Sequence, residues 1–201
     1  TLTIADAGLI VNGDLRIEAN DVDAVTAGEP VILGAAATRL NNLLYRVNIA
    51  ADERVVVFTE AAPLANLDVW TNSNVQIEVN GNAQLTDLDC DLTSFNTNNN
   101  TAVILSVGGA ITQGNLTGAI PVTSANDRLL SQNLLLLGTG LFELDNAQNN
   151  VANLAGSVTN SLAYRDIDSI TIDTVSSLFP NAATSGISTT NNDILISAGG
   201  F

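Results

Sequence analysis

The stretch "TDLDCDL", residues 86–92, sets three carboxylates, Asp87, Asp89 and Asp91, at alternate positions. On a β-strand that spacing puts them on one face, about 6.5–7 Å apart by strand rise. The separation suits the carboxylate pairs of glycoside hydrolysis. The same oxygens suit Ca²⁺, which takes several oxygen ligands in irregular geometry. Asp87, Asp89 and Asp91 are therefore the candidate metal ligands, for Ca²⁺, and no other cofactor is expected. Asp21 with Asp23 and Asp166 with Asp168 repeat the spacing as pairs. None has the loop spacing of an EF-hand, and no GGxGxD calcium-roll repeat occurs. The plainer reading of "TDLDCDL" is a solvated outer face, with Leu88, Cys90 and Leu92 turned inward.

The remaining inventory argues against an enzyme. The chain has no His, and its six basic residues are all Arg. Without His or Lys the commonest general bases and electrophilic helpers are missing, and Ser-His-Asp and Cys-His arrangements are impossible. "GNLTGA" lacks the Lys and the following helix of a phosphate-binding loop. Trp70 in "LDVWTN" reads as an edge or lid residue over the core, with a glycan platform as the lesser reading. The sequons at Asn99-Asn100-Thr101 and Asn115-Leu116-Thr117 are expected by chance in so Asn- and Thr-rich a chain.

Composition narrows the partners. A formal charge of −15 repels phosphate backbones and anionic lipid heads, which excludes nucleic acid and acidic membrane surfaces. Aliphatic runs such as "NLLLLG" are too short to span a bilayer, so no membrane insertion is expected. Hydrophobic residues make up 46% and aromatics 4%, so the core must be built from Val, Leu, Ile and Ala. A lone cysteine, Cys90, rules out an internal disulfide and reads as a buried thiol.

The elements that must position these residues are strands. Period-2 segments recur throughout, among them "DLRIEA", "RVVVFT", "VQIEV", "AVILSV" and "DILIS", each bounded by Asn, Asp, Gly, Ser or Thr. The one candidate for a helix is "AATRLNNLLYR", near residues 36–46, which reads as a short helix or a lateral loop. The fold class is all-β, and a right-handed parallel β-helix (β-solenoid) is favoured over a sandwich or barrel. "NTAVILSVGG" and "NDILISAGG" form an echo that places Gly109 and Gly200 91 residues apart (200 − 109), or four to five coils of roughly twenty residues. Doubled and tripled Asn suit amide ladders at stacked turns. Small aliphatics suit a narrow interior, in which Ile104, Leu136, Leu154, Ile170 and Leu195 are expected to stack inward.

Residues 100–201 carry a resemblance. "GGAITQG" (Gly108 to Gln113 and onward), "NAQNNVANL" (Asn146 to Leu154) and "GISTTNNDILISAGG" (Gly186 to Gly200) resemble the repeat of filamentous haemagglutinin-like exoproteins. That family implies secreted right-handed β-helices, adhesive or structural, often exported by a two-partner system. Residues 1–99 share only the texture and are expected as less regular coils of the same continuous solenoid, with a short helix or lateral insertion around residues 36–66.

The expected function is an extracellular or cell-surface structural or adhesive β-helix, a segment of a large exoprotein or a filament unit. The alternative is a carbohydrate-active β-helix that binds or cleaves polysaccharide. Neither end shows a polar cap in sequence, which implies homotypic end-to-end stacking or continuation of the same chain. A cell-surface or matrix glycan is the other partner expected.

Overall fold

The computed structural model describes residues 2–4, 12–19, 22–24, 31–33, 39–47, 55–59, 64–70, 74–90, 100–113, 128–176 and 182–199. Side chains are described at 15–17, 69, 74–79, 81–85, 88–90 and throughout the described residues from 100 on. All regular elements among these residues are strands. The first are β1 (Leu2–Ile4), β2 (Asn12–Ala19), β3 (Val22–Ala24), β4 (Val31–Leu33) and β5 (Arg39–Val47). Next come β6 (Val55–Thr59), β7 (Leu64–Trp70), β8 (Val75–Asn80), β9 (Ala83–Asp89) and β10 (Thr101–Gly108). Then follow β11 (Ala110–Gln113), β12 (Leu129–Gly138), β13 (Leu141–Leu144), β14 (Asn150–Val158) and β15 (Leu162–Arg165). The last are β16 (Thr171–Ile172), β17 (Thr174–Val175), β18 (Thr184–Ser185), β19 (Ile187–Ser188) and β20 (Ile194–Ser197).

The strands form two columns in which every neighbouring pair is parallel. One runs β2-β5-β7-β9-β11-β13-β15-β20. The other runs β4-β6-β8-β10-β12-β14, with β16 and β19 side by side along the far edge of β14. Within a column, a residue's partner lies between 18 positions (172 − 154, Leu154 to Ile172) and 32 positions (134 − 102, Ala102 to Leu134) further along the chain. The end of β9 also pairs with the start of β12, Leu88 opposite Leu129, which joins the columns. β1 and β3 form a separate parallel pair. Parallel strands cannot be joined by hairpins, so each pass of the chain must travel around before it returns to its column.

Register makes like stack on like. Val75, Ala102, Leu134 and Leu154 lie in one line across β8, β10, β12 and β14. Ile77, Ile104 and Leu136 lie in the next, two residues on, as the period of a strand requires. In the other column Ile111, Phe142 and Leu162 form a line. All these side chains are buried in a single cluster. Parallel sheets need apolar cover, and these lines supply it with few aromatics.

Short corners carry the chain from the second column to the first. Backbone at Gly81 (φ 120), Gly109 (φ 83) and Gly138 (φ 106) enters the region open chiefly to glycine. At Gly138 a Cβ would also collide with the Ser106 carbonyl oxygen of the preceding pass. The corners bond to one another, Thr139 N donating to Ser106 O (2.8 Å) and Thr159 N to Gly138 O (2.9 Å).

Three expectations change. Residues 39–47 are the strand β5, not a helix: pairing with β2 on one edge and β7 on the other overrides the helical texture of "RLNNLLYR". β6 and β7 also lie within the columns, while 36–38, 48–54 and 60–63 fall outside the described residues. Two pairs stand apart from the columns among the described residues, the parallel β1–β3 and the antiparallel β17–β18. Val175 of the latter buries Val103, Leu135 and Ala155, which point off the outer face of the second column. The 91-residue echo, thirdly, is out of phase. Aligned on its glycines it equates Ile104 with Leu195, yet Ile104 is buried and Leu195 is 67% exposed. The copies also occupy different columns, β10 the second and β20 the first. A one-residue slip reverses every side chain, so Ile194 and Ile196 face inward in the second copy. Ile170 packs at the margin of the core as a partly buried residue.

The contrast yields a test. Leu154→Asp places an unpaired charge among buried aliphatics and should destabilise the fold by roughly 4 kcal/mol or more. Leu195→Asp should change stability by no more than about 0.5 kcal/mol. Urea titration of both variants checks the parity; equal losses would contradict it.

Candidate functional site

The carboxylate stretch lies on β9. Leu88 and Cys90 are fully buried, as their alternation implies. Asp89, however, is only 7% exposed, so this carboxylate is not solvated. Its carboxylate stands 3.8 Å from the Arg128 guanidinium, which the pairing of β9 with β12 delivers from 39 positions away (128 − 89). Asp87 lies opposite Asp68 in the ladder, its side chain outside those described, and Asp91 falls outside the described residues. Among the described residues no three His, Cys, Asp or Glu side chains converge on a metal-sized space. Asp21 and both sequon acceptors, Asn99 and Asn115, are outside the described residues; Asp23 and Trp70 are placed in β3 and β7 by backbone alone.

The most densely connected polar group lies elsewhere. Asn149 is fully buried and satisfied at every valence. Its Oδ1 accepts from Gln113 Nε2 (2.7 Å) and from Leu129 N (2.8 Å). Its Nδ2 donates to Gln113 Oε1 (2.8 Å) and to Leu144 O (3.2 Å). Gln113 Oε1 also accepts from Asn146 N (3.1 Å). Two motifs singled out in sequence, "AITQ" and "NAQNN", thus close on each other through a reciprocal amide pair. Their role was not legible, because the pair spans 36 positions (149 − 113) and two passes of the chain.

One layer on, Asp166 sits 1% exposed at the end of β15. Its Oδ2 accepts from Tyr164 Oη (2.8 Å) and Val151 N (2.9 Å), and its Oδ1 from Asp168 N (3.2 Å). Burial holds the Asp166 carboxyl above the usual range, although the bonds from Tyr164 and the two backbone amides pull the other way. Burial, then the Asp166 charge beside it, pushes the Tyr164 phenol far above its ordinary range. Asp166 is therefore a turn brace, its oxygens occupied by the protein's own donors, with Asp168 contributing its backbone N–H. The signal in "YRD" was available: Tyr and Asp two apart on a strand share a face.

A third set repeats along the stack. Asn153 Nδ2 donates to Asn133 Oδ1 (3.0 Å), Asn133 Nδ2 reaches Thr101 Oγ1 (3.4 Å), and Thr101 N donates to Asn74 Oδ1 (2.9 Å). This is an amide ladder, but it is built from single Asn residues, Asn133 and Asn153 lying within strands, and not from the doubled Asn at turns. At the corners Asn82 Oδ1 accepts from Ala110 N, Asn160 Nδ2 donates to Thr139 O, and Asn192 Nδ2 donates to Thr159 O. Each bond joins one pass to the next. What this constellation does chemically is hold backbone that parallel pairing leaves open. Comparison with protein-family models, curated proteins and solved structures finds no match.

Two outcomes follow. Asn149→Ala strands the Gln113 amide, Leu129 N and Leu144 O in a buried site and should cost roughly 2–4 kcal/mol, read by chemical denaturation. Asp166 binds its proton more tightly in the folded chain than in the unfolded one, so its contribution to stability improves as pH falls from neutrality toward the ordinary value of 3.8. Wild type should therefore gain stability relative to Asp166→Asn over that window. A gap between the two that is constant with pH would show that Asp166 does not titrate there.

Proposed function

We propose that the chain is a structural or adhesive module, a right-handed parallel β-helix of the filamentous haemagglutinin-like type, working at the cell surface or outside the cell. The observation that carries this reading is the pair of in-register parallel columns. The chain returns to each column pass after pass, and its polar side chains serve mainly to tie one pass to the next. Such a scaffold is extended by adding passes, which suits a rod. The motifs that resemble the exoprotein repeat, Gly108 to Gln113 and Asn146 to Leu154, meet at the Gln113–Asn149 pair, which gives the resemblance a physical role. The described exposed carboxylates Glu143, Asp145, Asp168, Asp173 and Asp193 leave an acidic surface suited to water and to neutral or cationic partners. A neutral surface or matrix glycan is the adhesive target in keeping with that charge.

Protease shaving of intact producing cells, read with an antibody against residues 100–201, tests the location. External protease should remove the epitope without lysis, and culture medium or shaved fragments should contain it. An epitope protected until the cells are broken would overturn the reading.

A further inference from the structure

The β17–β18 arm leaves and rejoins the stack at a single point. Thr171 and Ile172 of β16 pair with Asn153 and Leu154 of β14, and Ile187 and Ser188 of β19 pair with Gly156 and Ser157. The position between them, opposite Ala155, is shared by two residues. Asp173 N donates to Leu154 O (3.3 Å), and Gly186 O accepts from Gly156 N (2.9 Å). In an unbroken parallel strand one residue makes both bonds. Gly186 N also donates to Asp173 O (3.0 Å), which closes the base of the arm. Across this point the ladder offset steps from 18 positions (172 − 154) to 31 (187 − 156). Residues 174–186 are therefore a 13-residue insertion (31 − 18) in a strand that is otherwise in register.

We propose that this arm is a strap that opens as a unit while the columns stay folded, and so controls whether an apolar stripe on the outer face meets water. The stripe is Val103, Leu135 and Ala155, in register across β10, β12 and β14 and fully buried. Val175 is the side chain that the arm lays on it. Among the described residues of the arm Val175 alone is buried, while Thr174, Ser176 and Ser185 are exposed. Thr174 pairs with Ser185 and Val175 with Thr184, so the arm makes its ladder within itself. The Thr174 and Ser185 hydroxyls likewise bond each other (2.6 Å). At the base Gly186 has φ 70 and open space where a Cβ would stand, so packing does not hold its backbone. Lifting the arm about that base removes the Val175 contacts and leaves the bonds of Asp173 and Gly186 to β14 in place. An element with so few buried apolar contacts opens at lower free energy than the core strands beneath it. The strap presupposes the parallel columns and not a location outside the cell.

Native-state hydrogen exchange of the 201-residue chain, read by mass spectrometry, tests this. Amides of residues 174–176 and 182–185 should exchange well before those of β10, β12 and β14, through an opening that low urea leaves unchanged. Val175→Ser should speed exchange in the arm roughly tenfold or more, the factor that one buried aliphatic side chain is worth, without changing the columns. A chain lacking residues 174–186 should keep its column protection, because Asp173 O then meets Gly156 N. With the stripe bare, that shortened chain should also bind more of the apolar dye ANS than wild type. Arm amides that exchange together with the columns, or that ignore Val175→Ser, overturn the strap. So does a shortened chain whose columns lose protection, or one that takes up no more dye than wild type. Columns unprotected already in wild type overturn the parallel-column reading itself, which keeps the two failures apart.

Discussion

The described strands of both columns depend on parallel hydrogen bonding to neighbouring passes. A parallel strand draws both of its partners from distant sequence, so no segment completes its own bonds. The chain must return to the same height, the same direction and the same parity each time. Leu134 shows what that requires. It sits between Ala102 and Leu154 only because two loops of different length both close in register. Loop closure entropy grows slowly with length, so the spacing can vary while the register cannot.

That requirement explains where polar residues are allowed inside. Wherever the chain turns, backbone groups leave the ladder and need partners. Asn149, Gln113 and Asp166 stand at those breaks, each bonded to backbone on a neighbouring pass as well as to a side chain. Amides serve well here, because one side chain both donates and accepts and can couple passes above and below. The corner glycines answer the same need from the other side. Gly138 lets the chain turn tightly enough for Thr139 N to reach Ser106 O, and any side chain at Gly138 would occupy that space.

Local properties of the fold were legible in sequence. The period-2 segments from Val75 onward became strands, and the aliphatics at Ile104, Leu136 and Leu154 became core. What failed was long-range. "RLNNLLYR" reads as helical because nothing within it reveals that β2 and β7 border it on both edges. The Asp89 face reads as solvated because Arg128 comes from another pass. Leu195 reads as core because the glycines after it match those after Ile104, although the turn before β20 reaches it through Asn191 (φ 58) with opposite parity.

Charge is the counterpart to the apolar contacts of so repetitive a scaffold. A stack with open strand edges invites pairing, and proteins blunt such edges with charged residues beside them. Here the edge strands β16 and β20 contain no charged residue, but exposed Asp173 follows one and exposed Asp193 precedes the other. In a chain of −15 overall these carboxylates repel any acidic surface that approaches the edge. Their repulsion is long in range and weakened by salt, whereas apolar contact at Ile172 and Ile194 is short in range and largely indifferent to it. Two forces of such different reach therefore act side by side at the same edges, and neither engages a residue of the buried core.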